Sequence, residues 1–148
     1  MKAIKGLRGE AIGLLTTFVA ETPKEAAEMP EALMRLGELK WEVEREGFVE
    51  RFRAWEKKPI DQRGPTPMPE YGPSRDLFGR VLKDYPRFRD YDLALYVDGF
   101  LATEQGREED ALARFERILR EFPRSRFVPD AHMAKAEALF AGKYDYAA

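Results

Sequence analysis

Residues with well-known catalytic chemistry are few in this sequence. His132 is its only histidine, and none of its 148 residues is a cysteine. These counts exclude disulfides, thiolate catalysis and the common metal sites built from cysteines or paired histidines. We expect His132, near the start of an apolar helical run, to be structural or solvent-facing. Because no glycine-rich phosphate loop or dinucleotide fingerprint is present, the sequence predicts no enzyme, no catalytic residue, no cofactor and no metal.

Two clusters of charge have the residue types to bind ligands, but each has a simpler interpretation. Glu108, Glu109 and Asp110 precede an apolar run, where carboxylates suit the positive end of a helix dipole. Glu116 and Glu121 interleave a group of arginines, which predicts a solvated face with ion pairs, phosphate binding being the less favoured alternative. The arginines of this group are Arg114, Arg117, Arg120, Arg124 and Arg126. Because the formal net charge is −2, we expect no nucleic-acid partner.

Neither the composition nor the N-terminal segment indicates a membrane protein. The chain is 44% apolar and 35% charged, which is the composition of a folded domain or of a short array of repeats. The run AIGLLTTFVA, residues 11–20, follows early positive charges as the core of a signal peptide does. Glu10 directly before this run, and its helical apolar face, favour a helix of the folded protein instead. No stretch approaches the roughly 20 apolar residues of a bilayer span, so we expect no direct membrane insertion.

A template of small and apolar residues recurs before three prolines. Pro23, Pro86 and Pro123 each follow a small residue by twelve positions. Apolar residues stand at i+4, i+7 and i+8 from each small residue, which places all four side chains on one helix face. The three sets are Ala11, Leu15, Phe18 and Val19; Ser74, Phe78, Val81 and Leu82; and Ala111, Phe115, Ile118 and Leu119. The template predicts three helices that each end near a proline, because proline stops a helix and biases the preceding residue toward extended conformations.

A second small residue follows each of these prolines by 13 or 14 positions. Gly37, Gly99 and Ala136, which we call the notch positions, each lie within an apolar run of helical period. Glycine inside a helix costs up to about 1 kcal/mol, so close packing of another helix is the natural compensation. We therefore expect a unit of two antiparallel helices, an A helix with the notch and a B helix that ends at the proline. Gly106 and Gly142 are expected to end A helices in a left-handed conformation.

This repeating unit resembles the tetratricopeptide repeat. Gly106 and Gly142 are 36 residues apart, close to the period of about 34 residues in that repeat, and residues 93–123 resemble one repeat over their whole length. The segment FPRSRFVPDAHMAKAEALFAGKYDYAA is similar to versions in bacterial cell-envelope proteins of the Tol-Pal-associated, outer-membrane-assembly lipoprotein and gliding-motility types. The resemblance implies an all-α superhelix of stacked helical hairpins. It also favours a periplasmic or cell-envelope location over the cytoplasm.

The expected organisation is one domain over residues 1–148. It comprises a B-type helix (1–23), an expanded repeat (24–86), a regular repeat (87–123) and a partial repeat (124–148). The expanded repeat has a long A helix and a proline-rich loop at about 58–73, interpreted as an unstructured spacer in preference to a polyproline ligand. Ala147 stands at the small-residue position of a further B helix. We expect a fragment of a longer array, or another molecule that covers the open end.

In tetratricopeptide arrays the A helices line a concave surface that binds partner peptides or helices. Alignment on the notch carries this role to Met34, Glu38, Trp41, Tyr96, Phe100, Thr103, Met133, Glu137 and Phe140. Such side chains suit an apolar partner segment with some positive charge, although Trp41, Phe100 and Phe140 are equally well explained by packing between hairpins. Some chaperone-binding members of the family hold the C-terminal carboxylate of a partner with lysine, arginine and asparagine from the A helices. That mode is disfavoured here, because the chain contains no asparagine and the predicted groove positions are apolar or acidic. The predicted function is a protein-binding scaffold or adaptor, and the alternative is a structural spacer that self-associates through its open C-terminal repeat.

Overall fold

The structure is a computed structural model that describes the backbone of residues 2–145 and the side chains of residues 3–140. Over that range the regular structure is helical and includes no strand, which confirms the all-α prediction. The helices are α1 (Lys2–Glu21), α2 (Met29–Lys57), α3 (Gly72–Asp84), α4 (Tyr91–Glu104), α5 (Glu108–Glu121) and α6 (Val128–Asp145), with one 3-10 turn at Ile60–Gln62. Ala147 lies outside the described residues.

The chain divides into two compact units, Met1–Arg80 and Val81–Ala148. Each unit has its own buried core of aliphatic and aromatic side chains. The prediction that residues 1–148 form one domain stays a prediction, and so do the repeat boundaries within it.

Three helices end where the prolines predict. α1, α3 and α5 each end two residues before Pro23, Pro86 and Pro123, respectively, and all three prolines are exposed at the helix corners. The residue directly before a proline is disfavoured in the α conformation. Phe122 accordingly has left the helix, with φ −130° and ψ 60°.

In the first unit, α1 packs against the long helix α2. The Arg8 guanidinium donates two hydrogen bonds to the Glu46 carboxylate, at 3.0 and 2.7 Å, which ties the two helices together. The buried residues of α2 all lie between Met29 and Leu39. None of its residues from 40 to 57 is buried, and its assignment as the expanded A helix of a repeat stays a prediction.

The proline-rich loop between α2 and α3 has one 3-10 turn and contacts the end of α2 through side chains; its interpretation as a spacer stays a prediction. The Trp55 indole Nε1 donates a hydrogen bond to the Gly64 carbonyl at 2.9 Å. Arg63 lies over the Trp55 ring at 4.8 Å and donates hydrogen bonds to two backbone carbonyls at the end of α2. Tyr71, at the end of the loop, is fully buried. The buried aromatic ring and the hydrogen-bonded carbonyls fix the path of the loop. The proline content of the loop did not predict these contacts.

In the second unit, α4 and α5 form an antiparallel pair joined by residues 105–107. Gly106 has a φ of 77°, the left-handed conformation that lets the chain reverse after a helix, as predicted. Near this turn Gly99 lies opposite Phe115, and at the far end Tyr91 stacks on Phe122 with ring centroids 5.6 Å apart.

α6 continues the same alternation of direction. α5 packs against α6, and the Lys135 ammonium lies 3.8 Å from the Glu116 carboxylate, several residues on either side of the Pro123 corner. α5 is therefore antiparallel to both of its neighbours, so α4 and α6 point in the same direction. The prediction that Gly142 ends this helix is wrong, because α6 continues through it to Asp145.

Candidate functional site

At each of the two notch glycines, a phenylalanine ring from another helix lies against the helix backbone. A Cβ atom placed on Gly37 would lie 2.6 Å from Phe78 Cε1, and one placed on Gly99 would lie 2.8 Å from Phe115 Cε1. Both distances are shorter than a carbon–carbon contact allows, so any larger residue would displace the ring. Both phenylalanines are buried. The glycines therefore let an aromatic ring of the next helix sit directly against the helix backbone.

The small residues of the B-helix template accompany these rings. Ser74 and Ala111, each four residues before the phenylalanine, are buried. Ala11, the equivalent residue of α1, is half-buried, whereas the third notch residue, Ala136 on α6, is exposed. The packing role predicted for Ala136 is therefore not fulfilled within the described part of the chain.

An ion pair that the sequence did not predict lies beside the second notch. Asp98 precedes Gly99 and is almost fully buried, and its carboxylate accepts a hydrogen bond from Arg114 Nε at 2.9 Å. A buried carboxylate is costly unless it is paired in this way. The sequence feature that could have predicted this ion pair is the aspartate inside the otherwise apolar run LALYVDGFLA.

A second arginine of the basic cluster is also used within the fold. The Tyr91 hydroxyl donates to the Leu82 carbonyl at 2.7 Å and accepts from Arg117 Nη2 at 2.8 Å. Arg117 Nε also donates to the Glu121 carboxylate at 2.9 Å. That hydrogen bond is the main cause that lowers the pKa of Glu121 and raises the pKa of Arg117. Arg117 thus belongs to an internal network, which weakens the phosphate-binding alternative.

Tyr96 joins α4 to the corner that precedes α6. Its ring stacks on Phe127 with centroids 4.8 Å apart and an interplanar angle of 11°, and it contacts Phe115 at 6.2 Å. Burial raises the pKa of the Tyr96 hydroxyl, and the nearby charge of Asp130 raises it further. Tyr96, predicted to contact a partner, is half-buried and packs against Phe127 and Phe115 within the second unit.

Beyond Tyr96, several predicted partner-binding residues are exposed on these two helices. Phe100, one turn after Tyr96 on α4, is 41% exposed, and on α6 Met133 is 62% and Phe140 is 65% exposed. Thr103 and Glu137 are also exposed, the Thr103 hydroxyl donating to the Gly99 carbonyl at 3.0 Å. Because α4 and α6 both pack against α5, run in the same direction and are linked where Tyr96 stacks on Phe127, we treat these five residues as one surface. We call Phe100, Thr103, Met133, Glu137 and Phe140 the α4–α6 surface.

The predicted partner-binding residues of the first unit do not form a comparable surface. Met34 is only 5% exposed, so its assignment to an accessible face is wrong. Met34 lies in the N-terminal part of α2, where most side chains are buried. Alignment on the notch predicts which side of the helix a residue is on, but it does not predict whether other elements cover that side. Glu38 and Trp41 are half-buried. Glu38 pairs with Arg35 at 3.4 Å, and the Arg45 guanidinium lies 5.9 Å from the Trp41 ring centroid.

Each unit has a shallow depression on its surface. One of about 320 Å³ in the first unit is lined by residues that include Ile12, Lys40, Val43 and Glu44. The other, of about 420 Å³ in the second unit, is lined by residues that include Arg89, Asp92, Arg124 and Ser125. Across the described residues, no group of three or more histidine, aspartate or glutamate side chains is arranged to hold a metal ion. His132 is exposed on α6.

Comparison with models of protein families, with curated proteins and with solved structures found no match for this chain. In addition, no helix in the described part of the chain is both long and apolar enough to cross a bilayer. The proposed function therefore rests on the residues of the α4–α6 surface.

Proposed function

We propose that this chain is a tetratricopeptide-like repeat protein that acts as a scaffold or adaptor. Three features support a repeat of that kind: the glycine–phenylalanine contacts at Gly37 and Gly99, the left-handed Gly106, and the helix ends two residues before three prolines. In such a repeat α2, α4 and α6 are the A helices and α1, α3 and α5 are the B helices.

The α4–α6 surface is the proposed binding site. The observation that carries this proposal is the exposure of Phe100 on α4 and of Met133 and Phe140 on α6. Large aromatic and methionine side chains are costly to leave in water and are the residue types that dominate protein interfaces. Catalysis is not proposed, since the surface has no cluster of nucleophilic or metal-ligating groups.

The surface also indicates the chemistry of the partner. Glu137 belongs to it and Asp130 lies one turn before Met133, so the apolar side chains are accompanied by carboxylates. A complementary partner is an amphipathic helix or extended segment that carries lysine or arginine beside its apolar residues.

A peptide array tests this assignment without knowledge of the natural partner. The purified 148-residue chain is applied to immobilised amphipathic peptides that vary in apolar content and net charge, and the affinity of each binding peptide is then measured in solution. We expect apolar peptides with net positive charge to bind, and Phe100→Ala and Met133→Ala to weaken binding by about tenfold or more, as for interface anchors.

Val49→Ala on α2 is the matched control, because Val49 is apolar and exposed but lies outside the surface. Equal binding by wild type, Phe100→Ala and Met133→Ala would remove the α4–α6 surface from consideration. Preference for acidic peptides would show that the partner chemistry is wrong.

The segment that resembles cell-envelope proteins has a packing explanation. The Ser125 hydroxyl donates to the Asp92 carboxylate at 2.5 Å and accepts from the Phe127 amide at 3.1 Å. Phe127 in turn stacks on Tyr96. These residues fix the corner between α5 and α6, so their presence is explained without reference to a cellular compartment.

A further inference from the structure

The depression in the first unit has the size and the mixed lining of a small-molecule site. Its volume of about 320 Å³ lies near the lower end of the range of about 300–1,000 Å³ for ligand pockets, which suits a small ligand. Ile12 of α1, Val43 of α2 and Pro73 of α3 give it an aliphatic wall. Its other lining residues, which carry polar or charged groups, are Lys40, Glu44, Glu70 and Ser74. We call these seven residues the first-unit depression.

Ser74 contributes a buried hydroxyl to the first-unit depression. The residue is only 1% exposed, and its hydroxyl forms no hydrogen bond with any described residue. Burial of a hydroxyl without a hydrogen bond costs free energy, so the buried polar side chains of native proteins nearly always have a partner. Because Ser74 lines the depression, a ligand bound there can supply the missing hydrogen bond.

Two further features of the depression are positive. Pro73 and Ser74 belong to the first turn of α3, which contains no acidic residue and carries the positive end of the helix dipole. The amide groups of such a turn are suited to bind anions. Lys40 is half-buried, and its ammonium group forms no ion pair within the described part of the chain. A hydroxyl, an ammonium group and a helix N-terminus thus meet in one depression, and each of them favours an anionic ligand.

The two carboxylates of the lining are balanced or exposed. Glu44 accepts a hydrogen bond from the Arg51 guanidinium at 2.8 Å and another from the Glu70 backbone amide at 3.2 Å. The hydrogen bond to Glu44 and the charge of Glu70 both raise the pKa of Arg51, so this arginine offsets part of the charge of both carboxylates. The Glu70 side chain is also exposed, where water and salt screen its charge. Ser74 and Lys40 are therefore the lining groups that gain most from a ligand.

We propose that the first-unit depression binds a small carboxylic acid with a short branched aliphatic body. The ligand carboxylate accepts hydrogen bonds from the Ser74 hydroxyl and the Lys40 ammonium group, which are strong because the acceptor is charged. The aliphatic body of the ligand packs on Ile12, Val43 and Pro73. All of these residues belong to the first unit, whereas the α4–α6 surface belongs to the second. The inference therefore goes beyond the proposed function, and either one can fail without the other.

Titration of the 148-residue chain with isocaproate, followed by NMR of the Ile12 and Val43 methyl groups, tests the site. We expect both methyl signals to shift, with a dissociation constant of about 0.1–10 mM, as for a ligand of few atoms. Isohexyl alcohol and isohexylamine have the same aliphatic body with a neutral and a positive head group. Each should bind at least about threefold more weakly than isocaproate, because neither offers a charged acceptor to Ser74 and Lys40.

Ser74→Ala and Lys40→Met distinguish a role in binding from a role in folding. Each should weaken isocaproate binding by about threefold or more, the loss expected for one hydrogen bond. Lys40→Met keeps the aliphatic part of the side chain, so it removes mainly the charge. Because the Ser74 hydroxyl has no hydrogen bond to lose among the described residues, Ser74→Ala should leave the midpoint of urea unfolding unchanged or raise it. Lys57→Met, at an exposed lysine of α2 outside the depression, is the matched control and should bind as wild type does.

Several results would overturn the inference. One is the absence of a shift of either methyl group at isocaproate concentrations up to about 50 mM, well above the expected dissociation constant. Another is binding of the alcohol or the amine as tightly as isocaproate. Wild-type affinity of both Ser74→Ala and Lys40→Met would do the same. A fall in the unfolding midpoint of Ser74→Ala would show that the hydroxyl serves the fold, and it too would overturn the proposal.

Discussion

The two helix pairs that carry the notch glycines, α2/α3 and α4/α5, share one contact and differ in what surrounds it. In each pair a phenylalanine ring lies where the Cβ of a larger residue would be, at 2.6 Å for Gly37 and 2.8 Å for Gly99. Yet α2 and α3 are connected by residues 58–71, whereas α4 and α5 are connected by residues 105–107. The contact is thus specified by residue types at two positions, and the length of the connection matters little, as loop-closure entropy predicts.

The two pairs also differ beside the notch. The α4/α5 pair has Asp98 and Arg114 directly before its glycine and its phenylalanine, and they form a partly buried ion pair. The α2/α3 pair has Leu36 and Leu77 at the same two positions. The glycine–phenylalanine contact therefore forms beside either an ion pair or two leucines. The glycine and the aromatic ring are the elements that the two helix pairs share.

Truncation of the ring should have the largest effect. Phe78→Ala and Phe115→Ala each remove a buried ring from beside a glycine and should lower the free energy of unfolding by about 3–5 kcal/mol. Urea denaturation followed by circular dichroism measures this. Phe100→Ala, which removes an exposed ring, should cost less than about 1 kcal/mol. Similar losses for all three variants would show that the notch contacts contribute nothing particular.

Replacement of the Asp98–Arg114 ion pair by two leucines should change the free energy of unfolding by less than truncation of the ring. Arg114→Leu alone deprives the buried Asp98 carboxylate of its arginine partner and should cost about 1–3 kcal/mol. Addition of Asp98→Leu, which copies the α2/α3 pair, should recover most of that loss, because apolar replacement of a whole buried pair is often neutral or stabilising. A double-mutant cycle in urea gives the coupling. If the double variant is no more stable than Arg114→Leu, the two neighbourhoods are not interchangeable.

The helix ends and the notch contacts were predictable because they depend on local chemistry. Proline fixes its own φ and restricts the residue before it, so the ends of α1, α3 and α5 follow from sequence position alone. The ring opposite Gly99 follows from helical spacing and the short turn at Gly106. Gly142 failed as a helix end because glycine permits a left-handed conformation without requiring it.

The features that sequence reasoning missed depend on long-range contacts. Met34 follows the same alignment as Tyr96, but the elements around α2 bury it. The contacts of the proline-rich loop with α2 come from Trp55 and Arg63, neither of which has a local pattern that predicts its partner. Of the residues predicted to bind a partner, Phe100, Met133 and Phe140 are exposed, whereas Tyr96 is engaged by Phe127; their binding role stays a prediction.

The central claim, that glycine at the notch is required by the ring opposite it, is tested most directly by three glycine-to-alanine variants compared in urea. Gly37→Ala and Gly99→Ala place a methyl group under 3 Å from a buried ring and should lower the free energy of unfolding by about 1–3 kcal/mol. Gly79→Ala on α3 meets no atom within 4 Å and should instead stabilise the protein by up to about 1 kcal/mol through helix propensity. Stabilisation by all three substitutions would contradict the account.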